Sequence, residues 1–229
     1  MYLYLKKRLK MQNVPRIYLN ENLESGKSFP IDKDVVHYLR RVMRRNDCLV
    51  FNGGAEYNAI LSDDNKSIII GGQTNRIDPS NDIIFYFAPI KKIDDMLNMV
   101  TQMGVAVLQP VITERTVANH INWGRMKKII VEAAEQSGRN SVPELKDSIK
   151  FDDLDLKNLI VADERFAHET KVANKIIKSN RVFVGPEGGF APKEFEKMDA
   201  ANVCGLSLGK TILRAEVAAV VAVSKVLNQ

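Results

Sequence analysis

Two short glycine-bearing stretches near the C-terminal end carry the residue types and spacing most able to do chemistry. Gly185-Pro186-Glu187-Gly188-Gly189 follows the apolar run Arg181-Val182-Phe183-Val184, and Pro192 stands where the next helix would open. Gly209-Lys210-Thr211-Ile212-Leu213-Arg214 follows Val203 to Leu208 and precedes an apolar run from Ala215 to Leu227. A glycine just past a strand lets the chain turn sharply and approach a ligand, while the N–H groups of the following helix start remain free to donate. Side by side, two such turns make a backbone-lined pocket. Glu187 can accept from neighbouring N–H groups, face a cationic ligand or act as a local cap. Arg214 opens an otherwise apolar helix and needs either an anionic ligand or an ion pair with Glu216 or Glu187.

Other chemistries find less support. The Gly209-Lys210-Thr211 triplet suggests a phosphate-binding loop, but Gly205 is one residue too near and Cys204 holds the required position. His37, His120 and His168 are scattered without a second ligand at helical spacing, so no metal is expected. There is no nucleophile elbow, no early dinucleotide fingerprint, and no Cys with a visible His partner. Cys48 and Cys204 share no ligand spacing and read as buried reduced thiols.

These residues must be positioned by a larger frame. After a polar linker, Gln73 to Asn81, apolar strands alternate with helices. Strands are expected over 82–88, 105–112 and 158–162, and helices over 91–103, 124–137 and 166–178, ahead of the two elements above. This alternation predicts an α/β domain with a parallel sheet, whose ligands bind beyond the carboxyl ends of its strands. Residues 16–75 predict a β-rich module with strands over 16–19, 48–51, 56–61 and 67–70 and a hairpin turn at Asn52-Gly53-Gly54. Within it, Asp32 to Arg45 reads as an amphipathic helix with Val35, Leu39 and Val42 on one side. His37, Arg40, Arg41 and Arg44 form a stripe on another, suited to a phosphate backbone or to a solvated face.

The chain has 229 residues and a formal net charge of +5, which favours a polyanionic partner. Residues 1–15 form a basic extension without the apolar core of a signal peptide, and the natural start is either Met1 or Met11. No apolar run is long enough to span a bilayer, so a cytoplasmic location is expected. The last helix is apolar nearly all round, which a subunit interface or deep burial within one chain would each explain.

Several ordered motifs together resemble the RsmE family, the 16S ribosomal RNA uridine N3-methyltransferases of the SPOUT class. They are Val184 to Gly189, Leu208 to Glu216, Thr113-Glu114-Arg115, Met103-Gly104-Val105, Ala133 to Arg139 with Val142-Pro143, and His37 to Arg44. The resemblance runs from about Pro15 to the end. It implies a PUA-like RNA-binding β-barrel over 16–75 and a SPOUT methyltransferase domain with a C-terminal trefoil knot over 82–229. It further implies an S-adenosylmethionine cofactor, a homodimer and a uridine of 16S rRNA in the small ribosomal subunit as target. The pocket residues it implies are Gly185, Glu187, Gly188, Gly189, Leu208, Gly209, Ile212 and Leu213. Arg214, Arg139 or Arg115 would stabilise the uridine anion or hold its phosphate, with His37, Arg40, Arg41 and Arg44 on the RNA. The chain departs from the family pattern at Met99, Gln102 and Val217. Rival readings are a SPOUT enzyme with a different RNA target, a non-catalytic RNA-binding or assembly factor, and a nucleotide-binding protein using the Gly209-Lys210-Thr211 turn.

Overall fold

A computed structural model describes residues 14–117, 122–168 and 178–228. Most of the basic extension, His120 and most of the helix expected over 166–178 lie outside them. The chain divides into two compact units, residues 1–79 with 134–142, and residues 80–133 with 143–229. The short return of 134–142 to the first unit has no counterpart in the sequence reading.

The first unit is a five-stranded mixed sheet in the order β1-β3-β4-β5-β2. Its strands are β1 (Arg16–Tyr18), β2 (Ser28–Pro30), β3 (Asp47–Asn52), β4 (Ala55–Leu61) and β5 (Ser67–Gln73). β1 lies parallel to β3 and the other pairs are antiparallel, with Asn52 facing Ala55 across the expected hairpin turn. Alternate residues of these strands, among them Ile17, Val50, Ala59, Leu61, Ile68 and Ile70, point to one core, as the two-residue period of a strand requires.

Helix α1 (Lys33–His37) starts on an Asp32 carboxylate that accepts the Val35 N–H at 2.9 Å. It then widens into a π-helical segment, Tyr38–Met43, and ends at Arg44 in the left-handed region. The wider turn advances each residue by a smaller angle than an α-helix does. Leu39 stays fully buried while Val42, expected on the same apolar side, is 60% exposed. The same shift separates Arg44 from its stripe. Lys33, His37, Arg40 and Arg41 line one groove with Val36 and Asn65, and Arg44 is not part of it.

The second unit is built on a parallel sheet in the order β12-β10-β11-β6-β7-β8, with β9 also pairing β7. It comprises β6 (Ile84–Phe87), β7 (Val107–Ile112), β8 (Glu144–Leu145), β9 (Ile149–Lys150), β10 (Ile160–Ala162), β11 (Arg181–Val184) and β12 (Cys204–Leu206). The central strands are buried almost throughout, because helices cover both faces of such a sheet. Helices α2 (Ile93–Gln102), α4 (Pro192–Ala200) and α5 (Ala215–Leu227) belong wholly to this unit. α3 (Trp123–Ser137) begins in it and ends in the first. α5 leaves the edge strand β12 yet packs against β11 and α2, so the chain doubles back across the strand ends. Among the described residues no helix is long and apolar enough to cross a membrane.

Candidate active site

Both glycine turns open into one cavity of about 760 Å³ at the carboxyl ends of the sheet, a volume suited to a nucleoside-sized ligand. Ala162 and Val184 mark the ends of β10 and β11 at its floor, and Leu208 lies two residues past β12. Gly185, Glu187, Gly188, Gly189, Leu208, Gly209, Ile212, Leu213 and Arg214 all line it. The expectation that the two turns converge is therefore met in the geometry.

The first turn is held rigidly from below. Phe190, 2% exposed, packs edge-on against Phe183 at 5.1 Å and against Phe195 at 5.6 Å. A Cβ on Gly185 would meet the Phe190 ring at 2.8 Å, so only glycine admits this approach. Gly189 has φ +69 and closes the turn through its N–H to Pro186 O at 3.0 Å, a conformation costly for other residues. Glu194 ties the following helix to a neighbouring loop. Its carboxylate accepts the Ala191 N–H at 2.8 Å, as a third-position helix acid does, and the Glu114 N–H at 2.9 Å.

The structure distributes the candidate arginines among different surroundings. Arg214 is the N-cap of α5 and lines the cavity as an exposed side chain. The ion pair formed by Glu216 is with Lys92, at 3.6 Å, and not with Arg214. A cation at a helix N-terminus opposes the helix dipole, so the helix itself does not stabilise Arg214 there. Arg115 donates through Nη1 to Gly188 O at 3.0 Å and braces the first turn from outside. Arg139 lies in the first unit, 1% exposed, where burial pushes its guanidinium down to about 10, still charged at neutral pH, with Asp78 acting the other way. Glu187 accepts the Lys91 N–H at 3.1 Å, a long-range contact from the first turn to the segment ahead of α2 and not the local cap its sequence context suggested.

The segment that carries Arg139 is tied firmly into the first unit. Gly138, φ +81, ends α3 as a left-handed glycine should, and its carbonyl accepts Arg76 Nε at 2.9 Å. Arg16 reaches the same segment with all five guanidinium donors. It binds Glu56 Oε2 at 2.8 Å, the carbonyls of Ala134 and Glu135 at 3.2 Å each, and Arg139 O and Asn140 Oδ1 at 2.7 Å each. Asn140 N–H and the Ser141 hydroxyl donate to the two oxygens of Asp78.

On the helix of the first unit, Arg40 is half-buried and donates to Asn65 Oδ1 at 2.8 Å and to Asn46, whereas His37, Arg41 and Arg44 are exposed. Residues that the sequence reading missed also line the cavity: Lys91, Lys92, Glu164 and His168. Glu164 follows a strand by two residues, a placement that could have marked it.

A parallel sheet whose glycine turns open a cavity at its carboxyl end is the architecture of an RNA methyltransferase domain, and the family model of that description matches residues 78–227. Along nearly its whole length the chain is similar to ribosomal RNA small subunit methyltransferase E of Rickettsia conorii, at 33% identity over 92% of this chain and 94% of that one. The protein of the same name from Aquifex aeolicus is 29% identical over 66% of this chain and 70% of its own. A solved structure of the Neisseria gonorrhoeae ribosomal RNA small subunit methyltransferase E, bound to S-adenosyl methionine, superposes with a TM-score of 0.79 at 26% identity, covering 94% of this chain and 97% of that one. The chain belongs to the ribosomal RNA small subunit methyltransferase E family.

Proposed function

We propose that the protein transfers the methyl group of S-adenosylmethionine to N3 of a uridine in 16S rRNA of the small ribosomal subunit. The observation that carries this reading is the convergence of the two glycine turns on one cavity at the strand ends. The neisserial relative holds S-adenosyl methionine and spans 94% of this chain in superposition. Backbone N–H and C=O groups of rigid turns can read an adenine edge without dedicated side chains, and Leu208, Ile212 and Leu213 supply apolar walls.

Alkylation at N3 requires loss of the imide proton, attack of the ring nitrogen on the methyl carbon, and departure of the thioether. Orientation and charge stabilisation carry such a step. Arg214 is the cation placed to hold the uridine anion or its phosphate. Arg115 acts through the turn it braces, and Arg139 through the first-unit segment in which it is buried. His37, Arg40 and Arg41, with Arg44 further along, meet the RNA backbone from a PUA-like module. The return of α5 from β12 to β11 is the path a trefoil threading would take. Val217 and Leu227, each 43% exposed, flank the half-buried Val220 and Val221 on one stripe of α5; a second copy of the chain would cover it in a cytoplasmic homodimer.

The test is methyl transfer from labelled S-adenosylmethionine to small subunits and to naked 16S rRNA, followed by nucleoside mass spectrometry. N3-methyluridine is the expected product. A methylated ribose or another base would overturn the uridine assignment, and no transfer with retained RNA binding would point to an assembly factor.

A further inference from the structure

Of the acidic side chains that line the cavity, Glu187 meets the Lys91 N–H, Glu216 pairs with Lys92 and Asp163 pairs with Arg165, while the reading above leaves Glu164 without a role. Glu164 is the second residue beyond β10 and lies against the turn that follows the adjacent strand β11. Its Oε1 accepts the Phe190 N–H at 3.2 Å, and a Cβ on Gly189 would fall 2.3 Å from that same oxygen. The carboxylate is therefore seated against turn backbone and has a fixed direction. The neighbouring cation, Arg165, is engaged by Asp163 at 2.8 Å and Asp199 at 2.9 Å. A carboxylate offers about four acceptor positions, so the Phe190 N–H leaves capacity on a side chain that lines the cavity.

We propose that Glu164 binds the vicinal hydroxyl pair of the cofactor's ribose and so selects a ribonucleoside ligand; this rests on the S-adenosylmethionine reading above. Three observations favour a sugar over the amino-acid tail. Glu164 stands just past the carboxyl end of a parallel strand beside a glycine turn, where a carboxylate can take neighbouring hydroxyls while the turn backbone holds the rest of a nucleotide. The cavity's lysines, Lys91 and Lys92, come from another element, the start of α2, and suit the charged tail. Hydroxyl donors also satisfy the carboxylate without desolvating a second full charge. Burial already holds the Glu164 carboxyl above the ordinary glutamate value, so donors aimed at it strengthen its ionised form.

The probes are S-adenosylhomocysteine and its 2′,3′-dideoxy counterpart, titrated calorimetrically into the full chain and into Glu164→Gln. The native protein is expected to bind the dideoxy ligand about tenfold more weakly. Glu164→Gln should lose a similar factor for the parent ligand and almost nothing for the dideoxy one. A purely structural Glu164 would weaken both ligands equally, and that result, or no loss at all, overturns the proposal. Should Glu164→Gln not fold, the native protein's discrimination decides alone, and equal affinity for both ligands sinks it. If the native protein binds neither, the cofactor reading itself fails; if it binds both without preference, only this inference does.

Discussion

Arg16 and Arg214 put the same side chain to opposite uses. In the first unit Arg16 is almost enclosed, lies over the Phe51 ring at 4.3 Å and spends every donor on protein acceptors. In the second, Arg214 is exposed at a helix start that electrostatically disfavours it. A guanidinium whose geometry is saturated internally holds a fold together, whereas one left open at a cavity is held ready for something that arrives. Residue type alone does not separate the two, and the count of satisfied donors does.

The largest effect should come from breaking the saturated one. Arg16→Met strands the Glu56 carboxylate, 3% exposed, with Thr74 as its remaining side-chain donor, and should cost about 3–5 kcal/mol in urea unfolding. A loss below about 1 kcal/mol would mean that Arg16 does not hold the fold. Arg214→Ala should do the reverse, lowering kcat by roughly 10²–10³-fold while the unfolding free energy stays within about 0.5 kcal/mol and S-adenosylhomocysteine affinity is kept. Equal damage to stability would erase the contrast between the two arginines.

A smaller effect belongs to the groove on the first unit. Arg41→Ala should raise the RNA KM several-fold and reduce the salt dependence of RNA binding by about one unit of slope, with kcat unchanged. Because Arg40 is tethered to Asn65 and Asn46, Arg40→Ala should additionally lower the melting temperature, which Arg41→Ala should not. The smallest effect is one of reactivity. Burial pushes the Cys48 thiol up to about 12, so its folded value lies above the unfolded one and the native protein keeps the proton through pH 8. Iodoacetamide should label Cys48 slowly in native protein and rapidly in urea, as mass spectrometry would show.

What the sequence made legible follows from how strongly each element is over-determined. Strand β6 and residues 182–184 of β11 are continuous apolar runs because both faces of a parallel sheet are covered, and the pattern survives without knowledge of partners. β8 and β9, two residues each, carry too little pattern to register, and β2 ends on Pro30 at the sheet edge. The π-helical turn after His37 was invisible because helical periodicity assumes one pitch throughout. The glycines of the cavity were readable since their role lies in the backbone. Glu164 was marked by nothing but its place two residues past β10, because the seating of its carboxylate depends on the approach of Phe190 from 26 residues away. Arg115 and Arg139 were grouped with Arg214 by motif, and only three-dimensional donor accounting tells a brace from a free cation.

The short run 134–142 is filed with residues 1–79 although its flanks on both sides belong to the other unit. A gene cut at the interdomain linker would thus not yield two self-sufficient products. The downstream piece would carry the end of α3 with its Ala134 and Glu135 carbonyls stripped of Arg16, and Asn140 stripped of Asp78. Chimeras between relatives should fold only when this nine-residue insert travels with the N-terminal half, so the unit of exchange in this protein is discontinuous in its gene.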